Sequence, residues 1–249
     1  IGTGCVSIGG RGNLQDWEIM NRPSKGFSPR FGFFTLWAKD NEGKTDTRIV
    51  EGNIHPPFTG SHGYPDPAAG LPRFENVAFH AAYPLAQMEL SDDSNPLHVT
   101  MRVFNPLVPL NADESGIPVA VFRFTLHNPA NAPVQASLAG SLTNFIGNDG
   151  VDRFSDVIYR NEYRNESDFS GIFYSADFKP ENAPQNGTLA LITTADNASY
   201  RRHWARSRWS NDLLSFWDDF SEDGVLTDPQ ESDEQSYTGS LAGDRKSVV

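Results

Sequence analysis

The sequence predicts an all-β protein: a large antiparallel two-sheet β-sandwich with at most one or two short helices. Three observations lead there. Apolar and polar residues alternate with period two in the best-patterned stretches. Turn-forming groups such as Asp66-Pro67, Asn95-Pro96, Asn105-Pro106 and Asn148-Asp149-Gly150 break the chain roughly every 8–15 residues, as short strands require. Strands separated by helical patterns of about 10–15 residues, which a parallel α/β fold needs, are missing. The 21 Gly and 17 Pro fit many turns, and 17 Phe supply the bulk for a core.

The elements follow in chain order. Gly2-Thr3-Gly4-Cys5-Val6-Ser7 resembles part of a dinucleotide fingerprint, but it lacks the third glycine and a following helix. With Gly9-Gly10-Arg11-Gly12 behind it, the segment reads as a glycine-rich turn pair in a β domain. Residues 31–38 are continuously apolar, as in a strand buried on both faces. Leu97, Val99, Met101 and Val103 line one face of a strand. Ala120, Phe122, Phe124 and Leu126 line another, and Val134, Ala136, Leu138 and Leu142 resume after a turn at 127–133. That pair of runs reads as a hairpin. Residues 172–174 and 189–194 are further short strands. Leu213, Phe216, Trp217 and Phe220 follow helical spacing and predict one amphipathic helix over 212–220. The acidic, Ser/Asp-rich stretch 221–235 reads as a loop.

Charge and residue usage exclude several functions. Against 32 acidic residues stand 20 basic ones, a net charge of −12, which disfavours a nucleic-acid partner. No polybasic segment suits an anionic membrane, and no apolar run reaches the roughly 18 residues of a transmembrane helix. The single cysteine, Cys5, excludes an internal disulfide and a Cys-rich zinc site. His55 and His62 alone approach ligand spacing, so neither metal nor cofactor is expected.

The candidate chemistry is sparse. Asp92-Asp93, Asp113-Glu114 and Asp218-Asp219 are adjacent acids. Glycoside hydrolysis needs two carboxyls held about 5–10 Å apart, usually from distant positions, so these read as solvated charge. Residues 201–209 carry four Arg and two Trp, Trp204 and Trp209. Stacking faces beside guanidinium donors suit a saccharide, yet a Trp–Arg segment packed on its own domain has the same composition. Asn165, Asn186 and Asn197 head N-x-S/T sequons, which mean little without a secretory context.

One resemblance is specific. The run from Ile1 to Pro23, ending Gly10-Arg11-Gly12-Asn13-Leu14-Gln15-Asp16-Trp17-Glu18-Ile19-Met20-Asn21-Arg22-Pro23, resembles the start of the N-terminal domain of glycoside hydrolase family 116. This family contains the non-lysosomal glucosylceramidases, or bile-acid β-glucosidases. Gly70-Leu71-Pro72-Arg73-Phe74, Ala82-Tyr83-Pro84-Leu85-Ala86, Phe104-Asn105-Pro106 through Val119, and Ser141-Leu142-Thr143-Asn144-Phe145-Ile146-Gly147 are similar to it in the same order. Beyond residue 150 the likeness is weaker, with 217–226 its best remnant.

The resemblance implies a β-sandwich that packs on a C-terminal helical (α/α)6 domain holding both catalytic carboxyls of a retaining mechanism. No carboxylate in this sequence then inherits a catalytic role, and this part alone is expected to be inactive. The partners implied are that helical domain and a β-glucoside or glucosylceramide-like substrate. The glycine-rich opening would approach the cleft from the sandwich side, with Arg11, Asp16 and Trp17 as substrate-binding residues. The competing reading is that this block fixes interdomain packing. An autonomous carbohydrate-binding sandwich using Trp204, Trp209 and their arginines is the alternative function. The domain is expected over 1–243, incomplete at both ends. Residues 244–249 match the translation of a sequencing adapter and read as a non-native tail. Location stays open, with the cytoplasm favoured.

Overall fold

The computed structural model describes residues 4–56, 68–205, 211–229 and 237–248. These residues are all-β with two helices. In chain order come β1 (Cys5–Ile8), β2 (Leu14–Glu18), β3 (Gly32–Lys39), β4 (Thr45–Ile49), β5 (Asn76–Ala82), β6 (Leu85–Ser91) and β7 (His98–Phe104). After them come α1 (Ala112–Ser115), β8 (Val121–His127), β9 (Val134–Thr143), β10 (Ile158–Asn165), β11 (Ser170–Asp177), β12 (Leu189–Thr193) and β13 (Ala198–Arg201). The helix α2 (Asn211–Asp223) and strand β14 (Thr238–Val248) close the described chain.

The apolar run becomes β3, next to last in a five-stranded antiparallel sheet of order β13-β14-β9-β3-β4. Successive side chains of a strand point to opposite faces. Phe34, Leu36 and Ala38 therefore enter one core with Met88, Leu90, Val99 and Met101, the inward residues of the four-stranded sheet β5-β6-β7-β8. Phe33 and Trp37 enter a second core with Trp204, Leu213, Phe216 and Phe220 on the other side. Both faces are covered, which is why the run has no polar alternation.

The expected two-layer sandwich is present, with its second layer in two pieces. Beside the four-stranded sheet lies a three-stranded one, β10-β11-β12. Tyr174 and Ile172 of β11 press on Gly239 of β14, and Leu191 of β12 approaches Gly140 of β9. Gly140 is opposite Phe34 in register, so this small sheet covers the same face as the four-stranded one. Among the described residues no helix is long and apolar enough to cross a membrane.

The expected hairpin is not one. Strand β8 ends the four-stranded sheet, whereas β9 lies in the middle of the five-stranded sheet. Segment 128–133 crosses the sandwich. Buried Asn128 holds the crossing, donating from Nδ2 to the carbonyls of Ala132 (2.8 Å) and Val248 (2.9 Å) and accepting from the Ala130 N–H. Phe122 and Phe124 of β8 meet the Phe34 ring from across the core, with centroids 4.8 and 4.9 Å away. Alternation reports which face is buried, not which ladder a strand joins.

The helix extends three residues past the predicted 220, so Ser221, Glu222 and Asp223 belong to it rather than to a loop. Gly224 ends it at φ 77°, its N–H bonded to the Phe220 carbonyl at 2.9 Å, the left-handed cap that glycine favours. Residues 230–235 of the expected loop lie outside the described residues. At the other end β14 pairs with β9 through Val248, with a register irregularity between Gly243 and Lys246.

The helix-side core generates a prediction. Phe216 is fully buried and stacks on Trp204 at 4.6 Å, while Leu214, two residues away, stays half exposed. Phe216→Ala should cost about 3–5 kcal/mol in urea unfolding, and Leu214→Ala less than about 1 kcal/mol. Equal costs would contradict the placement of the helix face.

Candidate functional site

The segment expected to meet substrate folds as the β1–β2 hairpin. Gly12 N–H closes the turn on the Gly9 carbonyl at 2.8 Å. Gly12 adopts φ 94°, and a Cβ there would lie 2.9 Å from the Met88 sulfur. Only glycine lets this turn sit against β6. The turn pair is thus a docked hairpin. The opening residues 1–3 of the fingerprint-like run lie outside the described residues.

Arg11 leaves that turn into a buried ion cluster. Its guanidinium pairs with Glu51, whose carboxylate also takes Arg73 Nε at 3.3 Å. The Arg11 carbonyl accepts the Gly52 N–H at 2.7 Å. Arg73 in turn donates from Nη1 to the carbonyls of Ala68, Ala69 and Leu71, each at 3.1 Å. A buried carboxylate between two guanidiniums holds three segments distant in sequence. Removing one partner of such a cluster strands a charge.

Asp16 and Trp17 sit in a bulge. Cys5 pairs with Glu18 but Ser7 pairs with Gln15, so two residues of β2 face one of β1. Asp16 takes the left-handed conformation, φ 51°, which aspartate tolerates better than most residues. Its carboxylate accepts the Gly26 N–H at 2.7 Å, with Lys25 Nζ at 3.8 Å. Glu18 accepts from Ser24 N–H and Lys25 Nζ, both at 2.8 Å. The Gly26 N–H lowers the Asp16 pKa, and the Lys25 ammonium lowers that of Glu18. Neither acid is raised toward neutrality as a general acid would be. The Trp17 ring packs edge-on against Phe145 at 5.4 Å, its indole Nε1 buried. Arg11, Asp16 and Trp17 are therefore spent on three different partners.

Beside Lys25 an open groove of about 490 Å³ runs between residues 23–28 and Gly150-Val151. Its far wall is anchored by Asp149, an acid that the sequence marked only as part of a turn. Asp149 is buried and accepts from the N–H groups of Asp152 (2.7 Å) and Val151 (2.9 Å), from Gln185 Nε2 (2.7 Å) and from Arg22 Nη1 (3.1 Å). Burial works against its charge, but these donors prevail and hold its pKa at about 2.

The Trp–Arg segment forms no described sugar platform. Trp204 has no exposed surface, lying between Phe31 (4.7 Å) and Phe216, with Nε1 donating to Ser240 Oγ at 2.8 Å. Arg201 is buried and donates to the Ser215 carbonyl and to Asp219, at 3.1 and 3.2 Å. Arg202 Nε donates to Asp228 at 2.7 Å. The α2 helix supplies the partners of Arg201, the segment after it that of Arg202, and β14 that of Trp204, in the places a ligand would have filled. Trp209 and the arginines at 206 and 208 lie outside the described residues, as does His62.

The profile of the family described as β-glucosidase 2, glycosyl-hydrolase family 116 N-terminal, matches residues 1–246. The chain belongs to this family. It is the N-terminal part of a β-glucosidase-type glycoside hydrolase, and the family 116 blocks have identifiable tasks in the fold. Gly70-Leu71-Pro72-Arg73-Phe74 carries the arginine of the ion cluster, and the block 141–147 carries Phe145 and buried Asn144.

Asp149 carries a pH prediction. A carboxyl held below its ordinary 3.8 contributes stability that is complete above pH 4 and fades as the pH falls toward 2. The drop to about 2 corresponds to about 2 kcal/mol. Asp149→Asn should lower stability at pH 7 by about that amount. It should also flatten the loss between pH 4 and 2, as read by chemical denaturation at each pH.

Proposed function

We propose that this domain is the non-catalytic N-terminal part of a retaining β-glucosidase or glucosylceramidase. It packs on a helical (α/α)6 catalytic domain and frames the active site from the sandwich side. The family match over nearly the whole chain carries this reading. The described geometry agrees with it, because the acids of the hairpin and the 149–152 loop are engaged in loop anchoring rather than left poised for proton transfer. The substrate is a β-glucoside or a glucosylceramide-like glycolipid, hydrolysed by carboxyls of the helical domain.

Within this reading Asp16 and Trp17 present the bulged edge of the hairpin toward the substrate, and Arg11 holds the turn behind them. The 249-residue chain should not cleave an aryl β-glucoside. In a complete family 116 enzyme carrying this domain, Asp16→Asn should lower kcat/KM about five- to tenfold without moving Tm. Trp17→Phe should lower kcat/KM as much and Tm as well, because its ring also packs on Phe145. An unchanged kcat/KM with a lowered Tm would return these residues to interdomain packing alone.

A further inference from the structure

At one end of the four-stranded sheet β5 turns into β6, and β7 leaves for the segment that returns as β8. This rim is apolar. Six of the twelve exposed large hydrophobic side chains among the described residues lie on it: Tyr83, Leu85, Val108, Leu110, Ile117 and Val119. Register places the two segments side by side, since Leu85 is opposite Phe104 and Phe104 is opposite Val121. The loop 105–120 thus departs and returns beside the 82–85 turn.

Leu110 is fully exposed and held at φ 67°, a left-handed conformation unfavourable for leucine. Hydrogen bonds keep it there. Asn111 N–H donates to the Val108 carbonyl at 3.0 Å, and Ser115 Oγ donates to the same carbonyl at 2.9 Å while accepting the Val108 N–H at 3.0 Å. Asn111 also accepts the Glu114 N–H at 3.1 Å, capping α1. A strained, braced loop that offers an aliphatic side chain to water marks a contact surface.

The row behind the rim on the outer face of the sheet is charged. Arg102 and Arg123 are exposed directly opposite one another, and Arg102 Nε donates to Gln87 Oε1 at 2.8 Å. Like charges so placed repel in the isolated sheet and favour a carboxylate brought between them.

We infer that this rim is the seat of the rest of the family 116 glycosidase, which meets it with an apolar patch bordered by carboxylates. The inference rests on the proposed packing against a catalytic domain and adds the face that makes it. The family description places this domain at the N-terminal end of a longer enzyme. A second copy would bring its own Asp113 and Glu114 to the arginine pair, and dependence of protection on dilution separates it from the rest of the same chain. An anionic lipid surface fits less well, because Asp113 and Glu114 follow Leu110 within four residues in a chain of net charge −12.

Thiol labelling tests it in a complete family 116 enzyme carrying this domain, on a Cys5→Ala background cleared of other reactive cysteines. Leu110→Cys and Ile117→Cys probe the rim, and Ile158→Cys, exposed on the three-stranded sheet, is the control. Each rate is compared with that of the same variant unfolded in urea. The rim cysteines should label at least tenfold more slowly than the control. Equal rates in an enzyme that still cleaves a β-glucoside would overturn the rim and leave the functional reading standing. Protection that disappears on dilution would assign the rim to a second copy and overturn the proposal. Protection appearing only with phosphatidylserine vesicles would assign the rim to lipid and overturn it equally. A protected rim in a complete chain that cleaves no β-glucoside would uphold the rim and overturn the enzymatic reading.

Discussion

Strand β3 has no face that tolerates water, and the architecture is arranged around that constraint. Phe34, Leu36 and Ala38 need a cover on one side, Phe33 and Trp37 on the other. The four-stranded sheet supplies the first, and α2 with Trp204 supplies the second. The neighbouring strand β9 accommodates both, with Val134, Ala136 and Leu138 toward the sheets and small Ser137, Ala139 and Ser141 under the aromatic rings. Gly224 belongs to the same arrangement: a Cβ at this cap would lie 2.6 Å from the Trp37 ring, so the chain can leave the helix there only as glycine.

Buried charge ties the loops to this stack. Glu51 joins the 9–12 turn to the 68–74 segment through two arginines, and Asp149 joins Arg22 to Gln185. Arg48 likewise bridges Asp46 and Asp92 at 2.6 and 2.8 Å. Such pairs add little net stability over apolar packing, but they penalise misplaced loops heavily. That registration fixes the β1–β2 hairpin and the 149–152 loop against the sandwich. The residues that look chemical in the sequence are mostly these ties.

Some of this was legible in advance. The continuous apolar run 31–38 announced double burial, helical spacing announced α2, and the glycines announced the β1–β2 turn. The family blocks were legible too, because they are local strings. The separation of β8 from β9 was not legible, because both runs bury the same kind of face, from opposite sides of one core. The Arg–Trp segment carried two meanings of identical composition, and the partners that decide between them, Ser215 and Asp219, sit 14 and 18 residues away on the helix.

By itself the sequence determined the β class, the strand that must be buried on both faces, the helix and the family, because each is written in local periodicity or in short strings. The tertiary structure decided which sheet each strand joins and where the charged side chains are spent. Arg11 meets Glu51 across 40 residues, and Arg22 meets Asp149 across 127. A side chain's chemistry is set by what lies opposite it in space, and local pattern specifies burial without specifying the partner.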